Sequence, residues 1–490
     1  MGILPVNLKD LISTMTSMST IKNIARNSGA IIAGQALEMF FNLVLLGLLA
    51  RYFGQSDFGK LSFLSVFFFF IGSNDNLLIR PILVREMARD QARAPVIIGN
   101  GMIIRALFSL FAVALLWLCI WFIKCPVEII QLAIFTSLGL LMSSLSGSYE
   151  IIFQVHLSVW YVKVINFISL LGTIITLYAV IFFKGSLLQY NILILIPGLI
   201  SLWLIKHYAD RFIRADFQLD LQIWKKIFND SWPLLLTAVF IFIYHRIDQV
   251  ILLGVQGPTG LGSYSVAVKL AEMFTIIAIA LKVSVLPVMS AYFKSSPDNF
   301  KRTYRLGFKY LLLFIIPAAF WVSLFSGEII SFIYGKEFLS SGPVLSILIW
   351  AEIFVFVGIM NNAILVAADK QILDPVFTGI SALVNIVLNL ILIPRYGFMG
   401  AAISSLLTYP VGPIMGYFIK STRPYSSCML YYSLKPFSAS LFMFLFIYYT
   451  RHIFWLSFIA SPFIYLLAIF FIRGIDKDDI RIARAIISTG

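Results

Sequence analysis

The sequence predicts an all-α polytopic membrane protein: fourteen transmembrane helices, arranged as two six-helix lobes with two further helices at the C-terminus. Three observations predict it. The 490 residues are 60% apolar and only 12% charged, with a mean hydropathy of +0.93, whereas a soluble domain is about a quarter charged. Apolar runs of roughly 20 residues, the length that crosses a bilayer, recur from one end of the chain to the other. A short motif also repeats at an offset of 203 residues, six predicted spans apart.

Taken in order, the predicted spans are 28–50, 61–83, 99–123, 129–153, 160–183, 187–206, 231–255, 263–290, 308–326, 342–367, 375–393, 397–419, 433–450 and 453–472. The first run, Ser28–Ala50, exceeds the ~7–15-residue core of a cleavable signal and carries Glu38 and Asn42, so it reads as a span. No inserted soluble domain is expected, and whatever the protein does must happen in or beside the membrane. The expected organisation is a cytoplasmic N-terminal segment (1–27), a first lobe (28–206), a solvated cytoplasmic linker (207–230), a second lobe (231–420), helices 13 and 14 (433–472) and a cytoplasmic tail (473–490).

The net charge of +14 would suit nucleic acid, but most basic residues sit in short loops between apolar runs. With the N-terminus inside, 26 Lys and Arg fall on the inner side and 7 on the outer. That bias puts both termini in the cytoplasm. Cys119, Cys125 and Cys428 form no framework and have no metal-ligand spacing. No G-x-x-x-x-G-K-[ST] loop is present for ATP, so transport would run on an ion gradient or on the cargo's own.

The repeat joins FGQSDFGKLSF (53–63) to VQGPTGLGSYSVA (255–267), with Gly59 matching Gly262. The copies are an even number of spans apart and so run the same way through the membrane. A binding site is expected between parallel lobes of this kind.

Polar residues at depth pick out the candidates, since a charge there costs at least ~2.5–3.5 kcal/mol and must face protein or water. Gln35, Glu38 and Asn42, at i, i+3 and i+7, share one face of the first span. The seventh span carries His245, Arg246, Asp248 and Gln249 over an arc too wide for a narrow seam. The eighth carries Lys269 and Glu272. By depth, Asp248 and Lys269 fall in one layer and are expected to pair, with Glu272 meeting Lys269 or Arg246. Arg105 and Lys282 lie nearer helix ends, where they can snorkel. Asp75 interrupts the second span. Glu352, Asn361, Asn362, Asn385 and Asn389 are polar faces without an assigned purpose.

Several stretches resemble the polysaccharide flippases, O-antigen type, of the multidrug/oligosaccharidyl-lipid/polysaccharide exporter superfamily. They are LLARYFGQSDFGKLSF (48–63), VREMARD (84–90), RIDQVILLG (246–254), LGSYSVAVKLAE (261–272) and LNLILIPRYGFMGAAISS (388–405). The resemblance implies a V-shaped pair of lobes opening alternately to either side of a bacterial inner membrane. It also implies an undecaprenyl-diphosphate-linked oligosaccharide as cargo, with membrane lipids, a coupling proton or sodium ion and a polysaccharide polymerase complex as partners. A diphosphate crossing the interior needs a cation, and Arg offers a bidentate one. Arg246 and then Lys269 are the expected cargo contacts, with Gln35, Asn42, His245 and Gln249 lining the cavity. Glu38, Asp248 and Glu272 are the candidates for a coupling ion. No cofactor, metal, catalytic residue or nucleic acid is expected.

The alternatives are a multidrug cation exporter of the same superfamily, mostly twelve-helix proteins, and a membrane enzyme of polysaccharide assembly. The enzyme would bring a large loop or domain that the chain lacks. Lipid II flippases of the superfamily fit poorly on their first-lobe arginine pattern, since no Arg lies between 28 and 50.

Overall fold

The computed structural model describes the backbone of residues 18–74, 79–420, 422–475 and 479, with side chains essentially from Leu37 onward. Gln35 and Asp75 therefore fall outside the described side chains. Among the described residues the chain is helical throughout, without strands, and twelve helical segments are long and apolar enough to cross a membrane.

The helices are α1 (Met18–Asn74), α2 (Arg80–Arg89), α3 (Ala94–Ile123), α4 (Val127–Val155), α5 (Trp160–Phe182), α6 (Leu187–Leu193), α7 (Leu195–Ala209) and α8 (Leu221–Met273). They continue with α9 (Thr275–Ser295), α10 (Pro297–Leu324), α11 (Ser326–Tyr334), α12 (Gly342–Ala367), α13 (Leu373–Tyr396), α14 (Phe398–Thr408), α15 (Val411–Phe418), α16 (Arg423–Thr450) and α17 (Phe454–Phe471).

Proline opens α2, α3, α10, α12 and α16, where its missing N–H is no loss and its fixed φ suits a first turn. Five helices close the same way, with Lys124, Leu157, Lys184, Asp369 or Arg473 in the left-handed region. After α3, Cys125 N–H reaches back to Ile120 O at 3.1 Å and Lys124 N–H to Trp121 O at 3.3 Å. These are the two bonds that satisfy the last carbonyls when a helix ends in a left-handed residue. Without glycine, each such end costs roughly 1–2 kcal/mol of backbone strain.

Two of the twelve segments, Leu37–Gly72 and Leu235–Ser295, are much longer than one crossing. Each contains a glycine that breaks the helix: Gly54 at φ 72°, ψ −178° and Gly257 at φ 68°, ψ −170°. The two stand 203 residues apart, the offset of the sequence repeat, and share one conformation. The turns also pack on each other reciprocally. A Cβ on Gly59 would lie 1.8 Å from Pro258 O, and one on Gly262 would lie 1.9 Å from Gln55 O. The offset maps Gln55 onto Pro258 and Gly59 onto Gly262, so the contact is two-fold in character. Only glycine lets the backbones approach this closely.

At the same end, the Arg51 guanidinium donates from Nε to Ile333 O at 3.0 Å and also to Phe332 O. Gln55 bonds Glu337 through its side chain. α1 is thereby tied to α11 and the short 3-10 turn Lys336–Ser341.

A second buried cluster lies at the opposite end, built from Leu83 and Met87 of α2, Ile98 and Met102 of α3, Ile152 and Phe153 of α4, Ile205 of α7 and Ile227 of α8. The stretch 211–219, expected as a solvated linker, is docked against it. Asn100 donates to Gln218 O at 2.8 Å and accepts from Asp220 N–H and from Trp224 Nε1–H. Gly99 leaves room for the backbone at Asp216. Most of the stretch is exposed, and Asn100 together with the bond from Asp216 N–H to Pro95 O at 2.9 Å anchors it.

Candidate functional site

The turn at Gly257 folds the two halves of α8 back along each other, and this sets which polar residues meet. Arg246 and Glu272 meet as a fork: Nη1 to Oε1 at 2.9 Å and Nη2 to Oε2 at 3.0 Å. The guanidinium also lies over the ring of Phe69 in α1, 4.2 Å from its centroid. Bidentate pairing and stacking together use the planarity that lysine lacks.

The expected Asp248–Lys269 pair does not form. Asp248 is buried and accepts from Tyr264 O–H and from Gln249 N–H. Tyr264 lies seven residues past Gly257 and Asp248 nine before it, so the phenol reaches across. Lys269, five residues further on, is about 140° round the helix from Tyr264 and faces elsewhere. The depth argument placed the pair in one layer but could not fix the helix face. Tyr264 stood in the repeat motif as an aromatic; its role as a donor needed the turn.

Three cavities surround this stretch. Lys269 lines one of about 220 Å³ with Phe58, Ser62 and Asn191. His245 packs among Phe69, Tyr244 and Tyr409 and lines one of about 280 Å³ with Lys282, Asn362 and Asp374. There Lys282 donates to Asn362 Oδ1 at 2.7 Å, so it is engaged by an amide as well as placed to snorkel. Glu38 and Asn42 line a third, of about 320 Å³, with Lys163 of α5 and Met273 beside Glu272. Lys163 sits 3.6 Å from Glu38, and Asn42 Nδ2 donates to Glu38 O at 2.9 Å. Gln249 is buried.

The structure thus gathers Arg246, Glu272, Asp248, Gln249, His245 and Lys269 around one kinked helix, with Glu38 and Asn42 in the cavity alongside. Three further charges escaped a functional reading. Glu352 of α12 is buried and accepts from Thr275 Oγ1 at 2.9 Å. Lys60, expected in an outer loop, is buried and pairs with Asp57 at 2.7 Å and with Glu128. Lys309, at the inner end of the ninth predicted span (308–326), is buried against Asp479 at 2.5 Å. Each has a partner remote in sequence, Thr275 for Glu352, Glu128 for Lys60 and Asp479 for Lys309, and only Asp57, three residues before Lys60, is a local signal. No group of His, Cys, Asp and Glu that could hold a metal occurs among the described residues.

Residues 24–293, more than half the chain, match the family described as polysaccharide biosynthesis protein, and residues 233–391 match MatE. The probable low-salt glycan biosynthesis flippase Agl15 of Haloferax volcanii is 26% identical over 192 residues, 39% of this chain and 41% of that protein. Lipid II flippase MurJ of Bacillus subtilis is 30% identical over 165 residues, 32% and 30% of the two chains. The matched segments span less than half the length of these curated relatives. The lipid II flippases, set aside on their arginine pattern, are nonetheless relatives in sequence.

Among solved structures, lipid II flippase MurJ in an inward closed conformation superposes with a TM-score of 0.64, covering 89% of this chain and 97% of that one at 19% identity. An inward-facing MATE family multidrug transporter gives 0.67, covering 80% and 95% at 12% identity. At these identities the likeness establishes the fold. Flippases and transporters, not enzymes, characterise these relatives, and with the kinked repeat and buried charges above, the chain belongs to the polysaccharide biosynthesis protein family, a polysaccharide flippase family of the multidrug/oligosaccharidyl-lipid/polysaccharide exporter superfamily.

Proposed function

We propose that the protein moves an undecaprenyl-diphosphate-linked oligosaccharide, an O-antigen or similar surface-polysaccharide repeat, across a bacterial inner membrane by alternating access. The observation that carries this reading is Arg246: a guanidinium deep in a membrane-spanning helix, forked onto Glu272 and stacked on Phe69, with cavities lined by its neighbours His245, Lys269 and Met273. An anionic headgroup entering from one of these cavities can take the fork from Glu272, and the freed carboxylate can take up a coupling ion. Sequence relatives named as glycan biosynthesis flippases support the cargo class. Lys269 is the second cation, and Asn42, Gln249 and His245 are polar contacts for the glycan.

In this reading the turns at Gly54 and Gly257 each join two crossings, so the twelve long segments comprise fourteen spans. The two sets of six form parallel lobes about the Gly59–Gly262 contact, with α16 and α17 outside them. The basic residues put the Gly54 end outside and both termini in the cytoplasm. The bonds of Arg51 and Gln55 then close the outer side, and cargo enters from within.

The test is transport. Purified protein in liposomes should carry a fluorescent undecaprenyl-diphosphate-linked oligosaccharide from the inner to the outer leaflet, faster when a proton or sodium gradient is imposed. Movement of a lipophilic cation in place of the lipid-linked glycan would overturn the reading in favour of a multidrug exporter.

A further inference from the structure

A fourth cavity, of about 420 Å³, lies inside the first half of the chain and is larger than the three around α8. It falls within the ~300–1,000 Å³ typical of small-molecule sites. Two of its walls are polar helix faces, and Phe68, Ile71, Met142, Ile194 and Leu195 supply an apolar side. Ser143, Ser146 and Glu150 recur on one face of α4, and Asn166, Ser169 and Thr173 on one face of α5. Arg80 of α2 pairs with Glu150 at 2.9 Å at its edge, and Arg105 of α3, only 4% exposed, completes the lining.

Short polar side chains in a membrane bundle ordinarily hold helices together by bonding across the interface. Here they do not. No described hydrogen bond joins α4 to α5 across this cavity, and Thr173 Oγ1 donates to Ser169 O on its own helix at 3.0 Å. The two polar faces are held apart by a space that a polyhydroxylated solute would fill.

The geometry points to a glycan subsite, a binding place for a sugar of the cargo, apart from the Arg246 region that takes the diphosphate. This assignment rests on the flippase reading for its physiological meaning, while the cavity's affinity for sugar is independent of it. α4 and α5 supply donors and acceptors to ring hydroxyls, and Arg105 and the Arg80–Glu150 pair fix the end of the sugar.

The first test is binding. In the full chain with Cys119, Cys125 and Cys428 replaced by serine, Ser169→Cys is placed in liposomes and labelled with a water-soluble maleimide. Saturating maltopentaose should slow labelling roughly tenfold, a rate change of ~1.4 kcal/mol, whereas glycerol at equal osmolality should not. Asn166→Leu in the same background should abolish the protection. Ser146→Cys serves as a second reporter should Ser169→Cys fail to accumulate. Absence of labelling, absence of protection, or equal protection by glycerol would overturn the subsite.

The second test is transport by Thr173→Trp, which fills the cavity. It should cut movement of an undecaprenyl-diphosphate pentasaccharide at least roughly tenfold while sparing the monosaccharide-linked lipid. Equal loss on both cargoes would overturn the assignment. If the unmodified protein moves neither lipid, the flippase reading fails, and the labelling result still decides whether the cavity binds sugar.

Discussion

The turns at Gly54 and Gly257 share one backbone conformation and carry opposite chemistry. The 203-residue offset places Leu43, Leu45, Val66 and Phe69 of the first copy where the second has Arg246, Asp248, Lys269 and Glu272. All four charges of the second copy are apolar in the first. Arg246 bridges the two: it is forked onto Glu272 and stacked on Phe69, the residue equivalent to Glu272. The repeated glycines therefore belong to the fold, which needs both turns, and the charges belong to whatever the second copy does beyond folding. Backbone symmetry and charge asymmetry can be broken separately.

The largest effect should come from breaking the symmetry. Gly59→Ala and Gly262→Ala each drive a methyl into a carbonyl under 2 Å away, an overpacking that exceeds the usual ~1–3 kcal/mol because only backbone can yield. Both variants should lose most of their membrane abundance and melt earlier in detergent. Gly358→Ala, with nothing within 4 Å of the added Cβ, should melt like the parent. Equal melting of all three would show that the reciprocal contact is not what joins the turns.

Next comes the charge. Arg246→Leu alone strands Glu272, and breaking a buried pair costs about 3–5 kcal/mol, less here because Glu272 is a third exposed. Arg246→Leu with Glu272→Phe installs the first copy's residues at both positions. The double variant should recover abundance lost in the single one and yet carry no lipid-linked glycan. Recovery of transport with abundance would assign the pair to structure alone. Tyr264→Phe should be milder, since it leaves Asp248 short of one donor, worth ~1–3 kcal/mol when buried; comparing its melting with that of Asp248→Leu, which removes the need for the donor, checks the size of that bond.

The sequence made the spans, the repeat and the residues near Arg246 legible, because hydropathy and an interrupted apolar run are local signals. It also paired Glu272 with Arg246 as one of two options. The choice between Tyr264 and Lys269 for Asp248 was out of reach: it turns on a helix face that only the break at Gly257 determines. Glu38–Lys163 joins residues 125 apart, and Lys309–Asp479 joins residues 170 apart, so no periodicity records either. The cavity between α4 and α5 was equally hidden, since serine on a membrane helix is as common in helix packing as in a site.

The smallest predicted effect lies outside the membrane, where α2 meets the first turns of α8. Lys226 reaches Glu86 there, and its hydrogen bond, assisted by Arg85, holds the Glu86 carboxyl below the ordinary glutamate range. A carboxyl depressed in the folded protein contributes stability above its unfolded pKa, near 4.3, and loses that contribution as pH falls through the lower folded value. The Lys226 side chain is half exposed, so the pair is worth at most about 1 kcal/mol. Glu86→Gln should lower the melting temperature slightly at neutral pH and should flatten the loss of stability in acid. High salt should shrink the difference, because the lysine end is open to screening. Arg246→Leu should respond differently: its penalty arises in a span, beyond ready access of salt, and should persist at the ionic strength that erases the effect of Glu86→Gln. If salt erases both, the Arg246–Glu272 pair is as solvated as the surface pair, and the contrast between the four apolar positions of the first copy and the four charged ones of the second loses its energetic basis.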